Sequence, residues 1–132
     1  MQTRREKIKS FHQLEVWQKA HLLVLEIYRH TDCFPQKEVF CLVSQLRRAA
    51  ISVSSNLAEG FGRASNKEKA RFYNISSSSI AEIQNQLLIA RDLGYISEAD
   101  FQILANKTVE IYKMVNSLIR SVKKRTHPIP SS

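Results

Sequence analysis

Residues 56–72, NLAEGFGRASNKEKARF, place Arg63, Lys67, Lys69 and Arg71 around two glycines. Phosphate recognition needs clustered, mobile cations rather than one fixed catalytic geometry, and this density of bases meets that need. The plainer alternative is a solubilising turn in which Glu68 pairs with Arg71. Two other clusters carry the same sign. Arg4, Arg5, Lys7 and Lys9 stand against Glu6 near the start, and Arg120, Lys123, Lys124 and Arg125 stand near the end. The 132-residue chain has a formal net charge of +8, while its intervening segments are slightly acidic. Positive charge focused in this way suits an anionic polymer.

A second pattern is polar and periodic. Gln45, Arg48, Ser52, Asn56 and Glu59 recur at steps of three or four, as do Ser76, Ser79 and Glu82, so each set lines one face of a helix. A solvated face is one reading. The other is a network tying the second helix to the third, with Arg48, Glu59 and Glu82 as charged members that fix which faces meet. The run SSSS at 76–79 costs roughly 0.5 kcal/mol per serine relative to alanine in a helix. Close packing, or hydroxyl bonds to carbonyls of the preceding turn, must offset that cost.

Catalytic constellations are poorly represented. A di-iron bundle needs carboxylates on all four helices and two Glu-x-x-His motifs, whereas Glu26 and His30 form a single spacing of four. His12, His21 and His127 are scattered. EGFGR lacks the spacing and preceding strand of a phosphate-binding loop, and no histidine and acid are placed to activate a serine. The expectation is a non-enzymatic protein with no catalytic residue, metal or cofactor. Cys33 and Cys41 make neither a CxxC pair nor a disulfide framework and read as reduced, partly buried thiols of a cytoplasmic protein. No uncharged apolar run reaches the ~18 residues of a membrane span, and MQTRREKIKS lacks the apolar stretch of a secretory signal.

The elements that must position these residues are four amphipathic helices. With 43% apolar residues and only three glycines and three prolines, the chain favours long helices in one domain. The first helix is predicted over about 13–31, opened by a Ser10/Gln13 capping box, with Leu14, Trp17, His21, Val24, Tyr28 and Thr31 as its inner stripe. Leu22, Leu23, Leu25 and Ile27 widen its apolar surface beyond one stripe, which points to a second buried contact such as another subunit. The second helix is predicted from Pro35, with Val39, Leu42 or Val43, Leu46, Ala50, Val53 and Leu57 inward. A left-handed glycine at 60 or 62 would end it. The third opens at a Ser65/Glu68 box and runs through Phe72, Ile75, Ile83, Leu87 and Ala90 to Gly94. The fourth opens at Ser97/Asp100 with an Ile96–Phe101 staple, then follows Phe101, Leu104, Thr108, Ile111, Val115, Leu118 and Val122. Short connections imply antiparallel neighbours, hence an all-α up-down-up-down four-helix bundle. Residues 1–10 read as a basic arm, 11–124 as the bundle and 125–132 as a disordered tail. That topology would bring all three basic clusters to one end, where Phe61, Phe72 and Tyr73 could stack on bases, although Phe72 holds a core-like position.

FHQLEVWQKAHLL, FPQKEVFCLVSQLRRAAISVSSNLAEGFGRAS and KARFYNISSSSIAEIQNQLLIARDLGYI resemble, in order, the small four-helix bundle proteins encoded within bacterial 23S rRNA intervening sequences. The resemblance covers roughly residues 11–122. It is carried most specifically by Leu14–Val16–Trp17, Phe34–Pro35, Gln45–Leu46–Arg47–Arg48–Ala49, Ser52, Asn56, Glu59–Gly60, Arg63, Ser79 and Glu82. It implies a homopentamer and a polar constellation of Gln45, Arg48, Ser52, Asn56, Glu59, Gly60, Ser79 and Glu82. A related branch, the accessory variability protein of diversity-generating retroelements, is a basic pentamer that binds nucleic acid and a reverse transcriptase. The expected partners are therefore further copies of the chain and RNA or DNA, with a reverse transcriptase as the alternative, and no membrane. Ser76 and Ser78 depart from the alanine and glycine that the family tends to carry there.

Overall fold

Few helix breakers leave long uninterrupted helices as the cheapest way to pair backbone groups, and local caps then set where each begins. The computed structural model describes residues 7–126, with side chains through Lys124. Arg4, Arg5, the side chain of Arg125 and the tail from 127 lie outside the described residues. The helices are α1 (Glu15–Thr31), α2 (Leu42–Phe61), α3 (Asn66–Asp92) and α4 (Glu98–Thr126), and no strand occurs among the described residues. Each helix packs on its two neighbours in the cycle α1–α2–α3–α4–α1, which makes a four-helix bundle. α4 carries helix two residues past the expected 124 boundary.

Caps form where local sequence predicts them. Ser10 and Gln13 make the reciprocal box, but it caps a short 3-10 turn at Phe11–Gln13, after which α1 starts at Glu15. Ser65 Oγ accepts the Glu68 N–H at 3.1 Å, and Ser97 Oγ accepts the Asp100 N–H at 3.1 Å. α2 does not begin at Pro35: a 3-10 turn at Gln36–Glu38 intervenes, and the α-helix starts at Leu42. Tyr95 ties that turn to the α3–α4 connection, donating its hydroxyl to Glu38 Oε2 at 3.0 Å. This bond to a carboxylate, ahead of desolvation, raises the Tyr95 pKa above the usual phenol value. Both cysteines are free and exposed rather than partly buried.

The inner stripes correct several assignments. On α1 the buried row is Val16, Ala20, Leu23, Ile27 and Thr31. It is displaced by about one residue from the Trp17, His21, Val24 and Tyr28 row, because apolar residues flank both candidate stripes. On α2, Val43, Leu46, Ala50, Val53 and Leu57 are buried as predicted, joined by Ala49 and Gly60, while Val39 is exposed. On α4, Phe101, Leu104, Thr108, Ile111, Val115 and Val122 are buried, with Ile119 in place of Leu118. On α3, Ile83, Leu87 and Ala90 are buried, but Tyr73 and Ile80 replace Phe72 and Ile75.

The α2–α3 seam explains the Tyr73 exchange. Neither Gly60 nor Gly62 is left-handed. Gly62 has φ −82°, and among the described residues only Gly94, just after α3, has positive φ at 79°. Gly60 is glycine for space: a Cβ there would lie 2.7 Å from Tyr73 Cε1 and 3.1 Å from Phe72 Cβ. Deeper in the seam, Ser76 Oγ donates to the Val53 carbonyl of α2 at 2.8 Å, across the interface rather than back along its own helix. Ser52 and Ser79 hydroxyls meet at 2.7 Å. Other pairings set the register around the bundle: Arg47 with Thr31 at 3.0 Å, Ser77 with Asn116 at 3.3 Å, Gln84 with Thr108 at 3.3 Å and Lys19 with Glu110 at 3.2 Å. Between α2 and α3, and between α3 and α4, one partner's number falls as the other's rises.

Gly60→Ala tests the seam. Alanine gains helix propensity of about 1 kcal/mol, yet the new methyl must displace the Tyr73 ring, and overpacking of this kind costs about 1–3 kcal/mol. Urea unfolding is expected to show net destabilisation, whereas Gly62→Ala, whose Cβ would meet only the Glu59 and Ala58 carbonyl oxygens at 3.7 Å and 4.0 Å, is expected to be neutral or stabilising.

Candidate nucleic-acid interface

The α2–α3 turn is built from short-range contacts. The last carbonyls of α2 lack intrahelical donors. Lys69 supplies one, its ammonium donating to the Phe61 carbonyl at 2.6 Å while lying 5.3 Å from the Phe61 ring centroid. Lys69 is thus a cap of α2 made from α3. Arg63 pairs with Glu59, and Arg71 with Glu68 at 3.7 Å. Both guanidinium carbons lie against the half-buried ring of Phe72, 4.5 Å and 4.9 Å from its centroid. Arg63 Nε is buried without a hydrogen-bond partner. Lys67 is exposed and in no ion pair among the described residues. The local charge is therefore less free than the count of bases suggests, since two carboxylates hold the two arginines.

The expected stacking residues change roles. Tyr73 is buried in the core at 2% exposure and is closed to a ligand, while Phe72 is the accessible ring. A further aromatic cluster was hidden in FHQLEVWQKAH. Phe11 and His12 stack at 4.2 Å, Trp17 and His21 stack at 5.0 Å, and Phe11 meets Trp17 edge-on at 5.2 Å. The four-residue step from Trp17 to His21 was its visible signal, masked by their assignment to the core stripe.

The basic clusters are brought together in part. Phe11 lines a cleft of about 280 Å³ with Ala58, Glu59, Gly62 and Arg63, so the segment carrying exposed Lys7 and Lys9 abuts the α2–α3 turn. Val16 shares a second cleft with Leu118 and Ser121 of α4. Exposed Arg120 lies between those two α4 residues, and exposed Lys123 and Lys124 follow within about 10 Å of rise. All lie at the end of the bundle that holds the start of α1.

The polar constellation divides. Ser52, Ser79 and Asn56 form its hydrogen-bonded centre, Asn56 Nδ2 donating to the Ser52 carbonyl at 2.9 Å and to Ser52 Oγ at 3.1 Å. Gly60 belongs to the packing described above. The charged network does not form as predicted: Glu59 turns to Arg63, while Gln45, Arg48 and Glu82 are exposed. Neither Arg48 nor Glu82 makes an ion pair among the described residues. The Ser52 and Ser79 hydroxyls already meet at the seam, and Arg48 and Glu82 project outward past them. No group of three or more His, Cys, Asp or Glu side chains that could hold a metal occurs among the described residues. No helix among them is long and apolar enough to cross a membrane.

Residues 12–117 match the family described as 23S rRNA-intervening sequence protein. The crystal structure of a protein of unknown function from the S23 ribosomal protein family of Bacteroides thetaiotaomicron superposes with a TM-score of 0.73 at 21% identity. The superposition covers 79% of this chain and 97% of that one, a likeness of fold. No curated protein matches the sequence.

The two turn lysines should separate by role. Lys69→Met removes a charged donor from the α2 carbonyls and is expected to cost about 1–2 kcal/mol in thermal or urea unfolding. Lys67→Met is expected to stay within about 0.5 kcal/mol of wild type.

Proposed function

The chain belongs to the 23S rRNA-intervening sequence protein family, and on that premise we propose that it is a non-enzymatic, homo-oligomeric protein that binds RNA or other nucleic acid through a cationic rim. The observation that carries this reading is the meeting of the N-terminal segment with the α2–α3 turn at the Phe11–Arg63 cleft. That contact sets Lys7, Lys9, Arg63, Lys67 and Arg71 on one end of the bundle, with Arg120, Lys123 and Lys124 on the adjoining turns of α4. Arg4, Arg5 and Arg125 extend the same charge in sequence. Guanidinium groups held against Phe72 offer N–H donors to phosphate oxygens, and the nearby rings of Phe11, His12 and Trp17 are surfaces on which bases stack. The bundle is read as up-down-up-down and its assembly as a pentamer in a cytoplasmic setting. The register of cross-helix pairs supports the first, and exposed Leu22, Leu25 and Phe40 support a buried contact with further copies.

A protein-docking role, such as a subunit of a reverse transcriptase, is the second reading. The engagement of Arg63 and Arg71 by Glu59 and Glu68 favours it, because paired arginines contribute less to a phosphate-seeking field. A pull-down that survives nuclease and high salt, and is indifferent to charge reversal at Arg63 and Arg71, would select it.

If about six phosphates are neutralised, log affinity for single-stranded RNA should fall with log salt at a slope of about −4. The Lys67→Gln/Arg71→Gln pair is expected to weaken binding and flatten the slope by about 2. Trp17 is the chain's one tryptophan, so its emission reports directly on the aromatic cluster beside the cleft. Fluorescence anisotropy with labelled RNA, read together with Trp17 quenching, checks both. A salt-independent response rules out the nucleic-acid reading.

A further inference from the structure

Two unpaired charges face outward at one height of the bundle. The Ser52–Ser79 bond sets the register between α2 and α3. Arg48 lies four residues before Ser52 and Glu82 three residues after Ser79. Because numbering falls along α2 as it rises along α3, both lie about 5 Å from that bond in the same direction. Each is exposed and without an ion pair among the described residues. Arg48 borders a groove of about 480 Å³ between α1 and α2 whose walls include Tyr28, Phe40, Val43 and Ile51. This groove has basic and apolar walls and no acidic one. Phe40 is 93% exposed, too much apolar surface for an isolated solvated turn. The outer face of α3 offers the opposite character: Glu82 at the height of Arg48, and Ile89, 41% exposed, two turns further along and so level with the start of α2 beside Phe40.

We propose that the groove on α2 receives the outer face of α3 from a second copy of this chain, with Arg48 paired to Glu82 of that copy and Ile89 of that copy set against Phe40. The argument is one of symmetry as well as charge. Rotation about an axis parallel to the helices leaves height unchanged, so a closed ring can join only groups that stand at equal height. Arg48 and Glu82 meet that condition. The same operation repeats the contact at every subunit boundary, whatever the number of copies. An axis perpendicular to the helices would instead set Arg48 against Arg48, a repulsive arrangement. This inference rests on the self-assembly reading above and assigns it a surface.

The test is a charge exchange read by native mass spectrometry and light scattering over a dilution series, with circular dichroism as a check on folding. Arg48→Glu and Glu82→Arg, both at exposed positions, are each expected to weaken association about tenfold or more. The double variant Arg48→Glu/Glu82→Arg restores a pair of opposite sense and is expected to reassemble. Ile89→Asp is expected to dissociate the assembly without any change of sign at position 48. If wild type assembles but the single exchanges leave its mass unchanged, or the double variant fails to recover, this interface is overturned while self-assembly stands. A wild type that is monomeric at all concentrations overturns both. One that is monomeric alone and loses Arg48-dependent behaviour only on adding RNA assigns the groove to nucleic acid and likewise overturns the proposal.

Discussion

The close approach of α2 and α3 is the constraint on which the other features depend. Gly60 admits the Tyr73 ring, Ser76 bonds a carbonyl of the opposite helix, and the Ser52 and Ser79 hydroxyls meet between them. The serine contacts need no large apolar side chain between the backbones, and the one ring in the seam is accommodated by a glycine. They trade area of burial for short distance and defined register. A buried serine without a partner would be costly. Here the Val53 carbonyl offers a second lone pair beyond its helical bond, so the serines that weaken α3 as an isolated helix specify where it must dock. The register fixed at this seam then determines which charges stand level on the outer face, and how far the turn at Gly60–Ser65 is drawn in for Lys69 to reach the end of α2.

Electrostatics is secondary to that packing. The ion pairs between α1 and α4, Lys19 with Glu110 and Lys107 with Glu26, are solvent-exposed or nearly so and contribute at most about 1 kcal/mol each. The α1–α4 contact retains open clefts along its length, and a further groove lies between α1 and α2. The bundle is thus tight at the α2–α3 seam and more open around α1. The candidate interface spans the end where the two meet, which gives its cations a rigid base at Phe72 and Lys69 and an accessible border at Phe11 and Val16.

Local features were readable from sequence and tertiary choices were not. Ser65 and Ser97 cap the helices predicted for them, and Ser10 forms its predicted box on the 3-10 turn ahead of α1, because a cap is decided within four residues. The α4 stripe was legible because its outward face is mostly polar. α1 was misread by one position because Leu22, Val24 and Leu25 make several stripes equally apolar, and only the neighbouring helices select Val16, Ala20, Leu23 and Ile27. Phe72 and Tyr73 are adjacent aromatics, and the choice between them is made by a glycine thirteen positions away. Gly60 itself looked like a helix terminator, since sequence does not distinguish a glycine needed for φ from one needed for space. In the candidate site, the basic residues were identified by type and the Glu68–Arg71 pair was legible from its three-residue step, but not the partners that hold Arg63 and Lys69. The aromatic cluster at Phe11–His21 was missed because Trp17 had been assigned to the interior.

The seam's reliance on small groups also sets how the chain tolerates genetic drift. At Gly60, Ser76 and Ser79 almost any replacement adds atoms or removes a hydrogen bond where the two helices already meet, so neutral paths through those codons are few. Along the α1–α4 side, where clefts remain, side chains of several sizes fit without moving a helix. A saturation scan scored for folding should therefore trace a single narrow band of intolerance down the α2–α3 boundary, with a permissive flank on the side facing away from it.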